Sequence, residues 1–201
     1  MSALPRLDWI SEEEYLTGEL LSDIRHEYIE GKVYAMVGAH KHHNLIANNL
    51  FGLFWNHLAG KPCIPYTSDM KVKVGKNFFY PDVMVDCSDD NNDYFTQSPT
   101  ILVEVLSKST RQHDKTFKRE QYLKIPTLQE YILVEQDFVD VEVQRRSNGW
   151  QSEHFYLNDE VEFASIACKT TVAEIYQRVD NDDMREWLEA QISEQEIQSE
   201  S

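Results

Sequence analysis

Apolar positions along this 201-residue chain change period several times, and each change marks an element. Ser11 followed by Glu14 is a capping box, which starts a short helix running to about Thr17. RHEYIEGKVYAM, residues 25–36, sets Ile29 and the pair Val33–Tyr34 on either side of Glu30–Gly31 and predicts two short strands about a tight turn. Over residues 41–58, Ile46, Leu50, Leu53 and His57 recur at helical spacing, joined by Phe54, so an amphipathic helix is expected there, stopped by Gly60 and Pro62.

Strand periods follow. DMKVKV (69–74), a stretch at 79–86 inside NFFYPDVMVDC (77–87), and TILVEVL (100–106) read as three successive strands, the last apolar enough to be covered on both faces. After an SKST loop, residues 111–124 have helical composition, closed by Pro126. EYILVEQ (130–136) and VDVEVQRR (139–146) read as further strands, with Val139, Val141 and Val143 on one side of the second. Residues 171–179 and 183–192 are expected as C-terminal helices, with the last dozen residues frayed. Helices before and after a central run of strands give an α/β or α+β fold. The expected organisation is a single domain with one core over residues 1–180, then an acidic C-terminal helix and tail over 181–201.

Composition narrows the class. A 41% hydrophobic, 27% charged chain with few Gly and Pro is an ordinary globular one. Cys63, Cys87 and Cys168 form no CxxC pair and make an odd count, which fits a reduced, cytoplasmic compartment. No apolar run suggests a signal peptide in MSALPRLDWISEEEYL, or a membrane span later. The net charge of −16 repels nucleic acid and anionic membranes at face value. The distribution qualifies it: from Asp180 onward eight acids face Arg185 alone, whereas between Ser107 and Lys124 six Lys and Arg face Asp114 and Glu120.

Candidate chemistry sits on the strands. Alternation in TILVEVLS puts Ile101, Val103 and Val105 on one face and Leu102, Glu104 and Leu106 on the other, so Glu104 points into a buried surface and needs a partner. Asp82 begins an earlier strand, and residues 87–99 are long enough to bring the two strands side by side. Converging carboxylates suit a hard divalent cation. On a helix over 113–124, Asp114, Lys118 and Tyr122 share one stripe, with Tyr122 inward and Lys118 beside it, where an ammonium can orient a water or stabilise charge on a phosphate. Taken singly, Pro81–Asp82 reads as a turn and Lys118 as a solvated lysine paired with Asp114. Together with Glu104 they favour a site. Asp86 gains no such partner and reads as a solvated strand-end acid. His40, His42 and His43 lack a cysteine to complete a zinc site, and His43 fits the edge of the core.

YPDVMVDC and PTILVEVLSKSTRQHDKTFKREQYLKIPTLQEYILVEQ, with RHEYIEGKVYAM and HHNLI, resemble the Uma-two family of bacterial proteins, assigned to the restriction-endonuclease-like fold of PD-(D/E)XK nucleases. The resemblance extends from about Asp8 to Val179 and is most specific from Pro81 to Val134. It implies a mixed central β-sheet flanked by helices and a metal site of Asp82 and Glu104 taking Mg²⁺ or Mn²⁺. In the wider superfamily the lysine stands two residues after the second acid; here that position is Leu106, and the resemblance assigns the catalytic lysine to Lys118 instead. Glu27 matches an acid in the family's first hairpin, with a cross-strand pair to Lys32 as its bland alternative, and His43 matches a family histidine at the cleft.

The expected function is therefore a metal-dependent endonuclease acting on DNA, with Asp82, Glu104 and Lys118 catalytic and Glu27, His43 and Asp114 secondary. Superfamily nucleases often act as dimers because two strands need two sites, which makes a homodimer an expectation. The alternative is a catalytically inactive binding or scaffolding protein on the same fold, favoured by Leu106 and the net charge. Against that charge, the basic segment is expected to meet a phosphate backbone.

Overall fold

The structure is a computed structural model that describes residues 9–36, 38–88 and 92–199. The first half of the MSALPRLDWISEEEYL stretch read for a signal peptide (residues 1–8) and the last two residues of the acidic tail lie outside the described residues. Strand β8 (Pro99–Leu106) organises the rest. It belongs to a six-stranded sheet in the order β11–β10–β9–β8–β6–β3, formed with β3 (Ile64–Thr67), β6 (Val83–Asp86), β9 (Glu130–Glu135), β10 (Val141–Arg145) and β11 (Ser152–Phe155). The pair β8–β9 is parallel, joined by a helical crossover, and the other pairings are antiparallel, so the sheet is mixed. The crossover comprises α3 (Arg111–His113), a π turn (Asp114–Lys118) and α4 (Arg119–Tyr122).

The capping box holds: Ser11 Oγ accepts the Glu14 N–H at the start of α1 (Glu12–Glu19). The hairpin of β1 (His26–Ile29) and β2 (Lys32–Ala35) turns at Glu30 and Gly31, both with positive φ, the backbone that a two-residue turn demands. Gly31 is also required by space, since a Cβ there would lie 2.7 Å from the ring of Trp9. This hairpin heads a five-stranded sheet ordered β2–β1–β5–β4–β7, with β4 (Lys71–Val74), β5 (Asn77–Phe79) and β7 (Phe95–Thr96). The expected strand over 79–86 is thus two strands in two sheets, and Tyr80, Pro81 and Asp82 make the passage between them.

Alternation along β6 and β8 sends apolar side chains to both faces and divides the expected single core. On one face, Val83, Val85, Ile101, Val103 and Val105 pack against Ile46, Leu50 and Phe54 of α2 (Lys41–Leu58). On the other, Met84, Leu102 and Leu106 pack against Phe79, Tyr122, Ile125 and Leu128. A fully buried side chain of this size contributes roughly 1.5–3 kcal/mol. A two-strand hairpin of β12 (Glu160–Phe163) and β13 (Cys168–Thr171) and the short α5 (Val172–Ile175) complete the first cluster. The final helix α6 (Asp182–Ser199) adds Met184 and Trp187, and it continues to Ser199 where fraying was expected. No helix among the described residues is long and apolar enough to cross a membrane.

The cysteine expectation is corrected: Cys63 and Cys87 are joined in a disulfide, and Cys168 is free and buried. The sequence separation of 24 hides a pairing that the sheet creates, because Ile64 lies opposite Asp86 and the next residues outward are these cysteines. Cross-linking a loop of that length is worth about 3 kcal/mol. Replacing both cysteines by serine is expected to lower unfolding free energy by about that amount, as read by urea denaturation. An unchanged urea midpoint with and without dithiothreitol would dismiss a stabilising bond.

Candidate active site

Asp82 lies where the chain crosses from one sheet to the other. Its N–H donates to the Val103 carbonyl at 3.1 Å, and its Oδ2 accepts the Val105 N–H at 2.7 Å, which ties its carboxylate to the backbone on either side of Glu104. The register Val83↔Val103 makes β6 and β8 neighbours, as the expected site required. Glu104 points to the second core face, where Tyr122 Oη donates to its Oε1 at 2.8 Å and Lys118 Nζ to the same oxygen at 3.2 Å. Lys118 also lies 2.8 Å from Glu27 Oε1 and 3.6 Å from Asp114 Oδ1. The π turn keeps Asp114 and Lys118 both inward, and Tyr122 follows them into the core.

The expected residues therefore gather in one place. Glu27, His43, Asp82, Glu104, Asp114 and Lys118 all line a single open cleft of about 920 Å³. Glu27 is not paired with Lys32, which lies opposite Ile29 in the hairpin; its partners are Lys118 and the Tyr80 N–H. Lys118 is buried, not a solvated helix lysine. Leu106, where the wider superfamily carries its lysine, is packed in the second core, and the helical crossover delivers the ammonium instead.

Burial and charge act against each other here. Burial raises the Glu104 pKa well above the usual carboxylate value, Lys118 opposes this, and Asp114, Asp82 and Glu27 reinforce it. Burial works against the charge on Lys118, but Glu104, Glu27 and Asp114 outweigh it and hold its pKa well above normal, so it remains an ammonium. Burial likewise opposes a charge on His43, and the hydrogen bond to Asp82, with the nearby acids, overcomes it and raises the pKa. His43 Nε2 is 3.2 Å from Asp82 Oδ2, while its buried Nδ1 has no partner among the described residues.

Two expectations are corrected. Asp86 is buried rather than solvated: it accepts from the Ser88 N–H and hydroxyl, both at 2.7 Å, and from the Thr96 hydroxyl, closing the turn after β6. The basic segment does not present a row of free cations. Arg111 Nε donates to Glu135 at 2.8 Å, Lys115 lies 3.1 Å from Glu142, Lys118 is enclosed by acids, and Arg119 donates to Gln144 at 2.6 Å. Sequence reasoning took Tyr122 only as an anchor. Its place on the Asp114–Lys118 stripe was the available sign that its hydroxyl reaches Glu104. Gln136, Ser107 and Thr110 also line the cleft, without a distinguishing pattern in the sequence.

The donor set bears on a cation. Among the described residues no three His, Cys, Asp or Glu side chains form a ready-made cage. Among the same residues, the bonds to Asp82 fall on Oδ2 and those to Glu104 on Oε1, which leaves one oxygen of each carboxylate available. Two carboxylate oxygens fit a hard cation that keeps most of its water and completes its shell with substrate, the habit of Mg²⁺. They do not fit a cation held entirely by protein.

Comparison with known proteins identifies the family and the fold. Residues 12–195 match the Uma2 (Uma-two) family, described as "Putative restriction endonuclease". Two Synechocystis relatives are similar: "Uncharacterized protein slr1290", 36% identical over 84% of this chain and 92% of its own, and "Uncharacterized protein sll1609", 32% identical over 75% and 90%. Among solved structures, one from Anabaena variabilis described as "a putative nuclease belonging to DUF820" superposes with a TM-score of 0.70 at 20% identity, covering 83% of this chain and 97% of its own. That likeness establishes the restriction-endonuclease-like arrangement of a mixed sheet flanked by helices. With the match extending over most of its length, the chain belongs to the Uma2 family.

Proposed function

We propose that the protein is a metal-dependent endonuclease that hydrolyses phosphodiester bonds in DNA. The observation that carries this reading is the pair of available oxygens on Asp82 and Glu104, on adjoining backbone at the floor of a cleft and beside a buried ammonium. The descriptions of the family and of the Anabaena structure support the nuclease part of this reading. Asp82 and Glu104 would hold Mg²⁺ or Mn²⁺, which when bound supplies a Lewis acid for the phosphoryl oxygen and acidifies water.

The chain's own residues do the rest. Val105 N–H holds Asp82 by Oδ2, and Tyr122 with Lys118 holds Glu104 by Oε1, which leaves the second oxygen of each for a cation. Lys118 offsets part of the repulsion among Glu27, Glu104 and Asp114 and would orient the attacking water. His43 braces Asp82 from the α2 side. These are positioning and electrostatic roles, the kind that dominate phosphoryl transfer.

The test is metal removal. Protein stripped with EDTA is expected to leave labelled oligonucleotides and plasmid intact, and to cleave after Mg²⁺ or Mn²⁺ is restored. Calorimetry is expected to detect binding of the cation. Cleavage that persists in EDTA would overturn the metal site. A second reading, a nuclease-fold binding protein without hydrolysis, is favoured by the lack of a ready-made three-ligand cage among the described residues. It would be supported by a wild type that neither binds the cation nor cleaves any of these substrates.

A further inference from the structure

The cleft has an unusual lining for an enzyme of polyanions. Six carboxylates line it, from Glu19, Asp23, Glu27, Asp82, Glu104 and Asp114, against Arg25 and Lys118 among the Lys and Arg of the described residues. Lys118 is enclosed by acids, and Arg25 is paired with Asp69 at the rim. Affinity for duplex DNA comes largely from Lys and Arg side chains that neutralise phosphates and release counterions. Among the Lys and Arg of the described lining only Arg25 is exposed, and in the neighbouring basic segment Arg111 and Lys115 are taken up by Glu135 and Glu142, while Lys108 stands exposed beside Ser107 and Ser109 of the lining.

What the rim does offer is apolar and aromatic surface. Tyr34 is 49% exposed and Ile24 is 56% exposed, both in the cleft lining, and Leu20 and Leu21 stand exposed just before Ser22 of the same lining. Tyr34 is placed by register: it lies directly opposite Glu27 in the β1–β2 pair, so the two side chains project from the same face. Glu27 in turn touches Lys118 at 2.8 Å. The phenol ring therefore stands one strand out from the cluster, about 4.8 Å in the sheet direction. Base stacking on an aromatic ring needs no cation and is open only to a base that is not already stacked and paired.

We propose that the cleft takes an unpaired nucleic-acid strand, with Tyr34 as the platform for a base beside the phosphate held at Asp82 and Glu104, and that it discriminates against duplex. This specifies the substrate class of the nuclease reading and rests on it. Continuity of the exposed lip with the cleft that holds Asp82, Glu104 and Lys118 is what assigns the lip to substrate rather than to a second copy of the chain.

The test uses the whole protein with Ca²⁺ in place of Mg²⁺ and follows the anisotropy of a labelled single-stranded DNA oligonucleotide, alone and annealed to its complement. The single strand is expected to bind about tenfold more tightly than the duplex, and Tyr34→Ala to weaken single-strand binding by about tenfold, the worth of one stacked base. Tyr34→Trp is expected to retain affinity, and Tyr156→Ala, an exposed tyrosine outside the cleft lining, to leave it unchanged. Duplex bound as tightly as single strand, binding of neither, or single-strand affinity indifferent to Tyr34→Ala would overturn the proposal. That last result paired with loss of a dimer in sedimentation would give the lip to a second copy. Hydrolysis is judged apart, by the wild type in Mg²⁺ or Mn²⁺. Strand preference without cleavage removes the nuclease and keeps the platform; cleavage of both forms without Tyr34 dependence does the reverse.

Discussion

Lys118→Met is expected to lower the unfolding free energy by about 3–5 kcal/mol at neutral pH, the cost of leaving buried charges without their partner. Methionine approximates the length of the lysine stem, so the effect is one of charge more than of volume. Lys118 Nζ faces Glu27, Glu104 and Asp114 within 3.6 Å, and all four side chains are buried. Without the ammonium, burial of Glu104 loses its main counterweight, and its already raised pKa rises further. A group whose folded pKa lies above its unfolded value favours folding fully below the unfolded value, and that contribution is lost as pH rises through the folded one. The deficit of Lys118→Met relative to wild type is therefore smallest in acid and grows towards neutrality. Lys118 itself, with a folded pKa raised above an already basic value, stays charged across that window and adds no slope in the wild type. Adding Glu104→Gln to Lys118→Met is expected to recover part of the loss, a coupling that a double-mutant cycle isolates. The measurement is urea denaturation of the single, double and wild-type chains from acid to neutral pH. A deficit under about 1 kcal/mol, of the size found for exposed pairs, would mean that solvent reaches the cluster and the burial argument fails.

Much of this cluster was legible before the fold was known, because it depends on periods. The two-residue repeat of TILVEVL put Glu104 on the face of Leu102 and Leu106, and those residues do share the second core. The four-residue spacing of Asp114, Lys118 and Tyr122 set them on one stripe, and all three are buried. Glu27 was placed only by resemblance, since its partnership with Lys118 joins β1 to a helix far along the chain. Elements with weak periods were missed. Strand β3 has no alternation to announce it, and it accommodates Pro65 because it is an edge strand, where proline is tolerated. Strand β11 is almost wholly exposed and carries no apolar alternation. Cys63–Cys87 follows from the β3–β6 register, which nothing local in the chain encodes, and the burial of Asp86 depends on Thr96 as well as on nearby Ser88. The basic segment misled for a related reason: local charge counts cannot see that Glu135 and Glu142, on strands β9 and β10, lie beneath it.

Asp82→Asn is expected to act in the opposite sense to Lys118→Met, leaving the fold in place and removing activity. The amide carbonyl of asparagine can still accept the Val105 N–H, now bonded at 2.7 Å to Oδ2, so the passage between the two sheets keeps its anchor. What disappears is a negative charge that contributes to the raised pKa of Glu104, which lightens the repulsion in the cluster, and one that supports His43. These changes offset each other, and stability is expected to move by no more than about 1 kcal/mol. A cation site is less forgiving. Loss of an outer partner already costs about 10–100-fold in affinity or activity, so loss of one of the two proposed direct ligands is expected to cost on the order of a hundredfold or more. The measurement pairs oligonucleotide cleavage in Mn²⁺ and calorimetric Mn²⁺ titration with a thermal melt of the same preparation. A folded Asp82→Asn chain that binds Mn²⁺ and cleaves like wild type would remove Asp82 from the site. A variant that keeps its melting temperature, binds single strands in Ca²⁺ and cleaves nothing would separate positioning of the strand from its hydrolysis. In a binding protein that merely retained the nuclease fold, this substitution would have no activity to remove, so the contrast between wild type and Asp82→Asn also decides between the two functional readings.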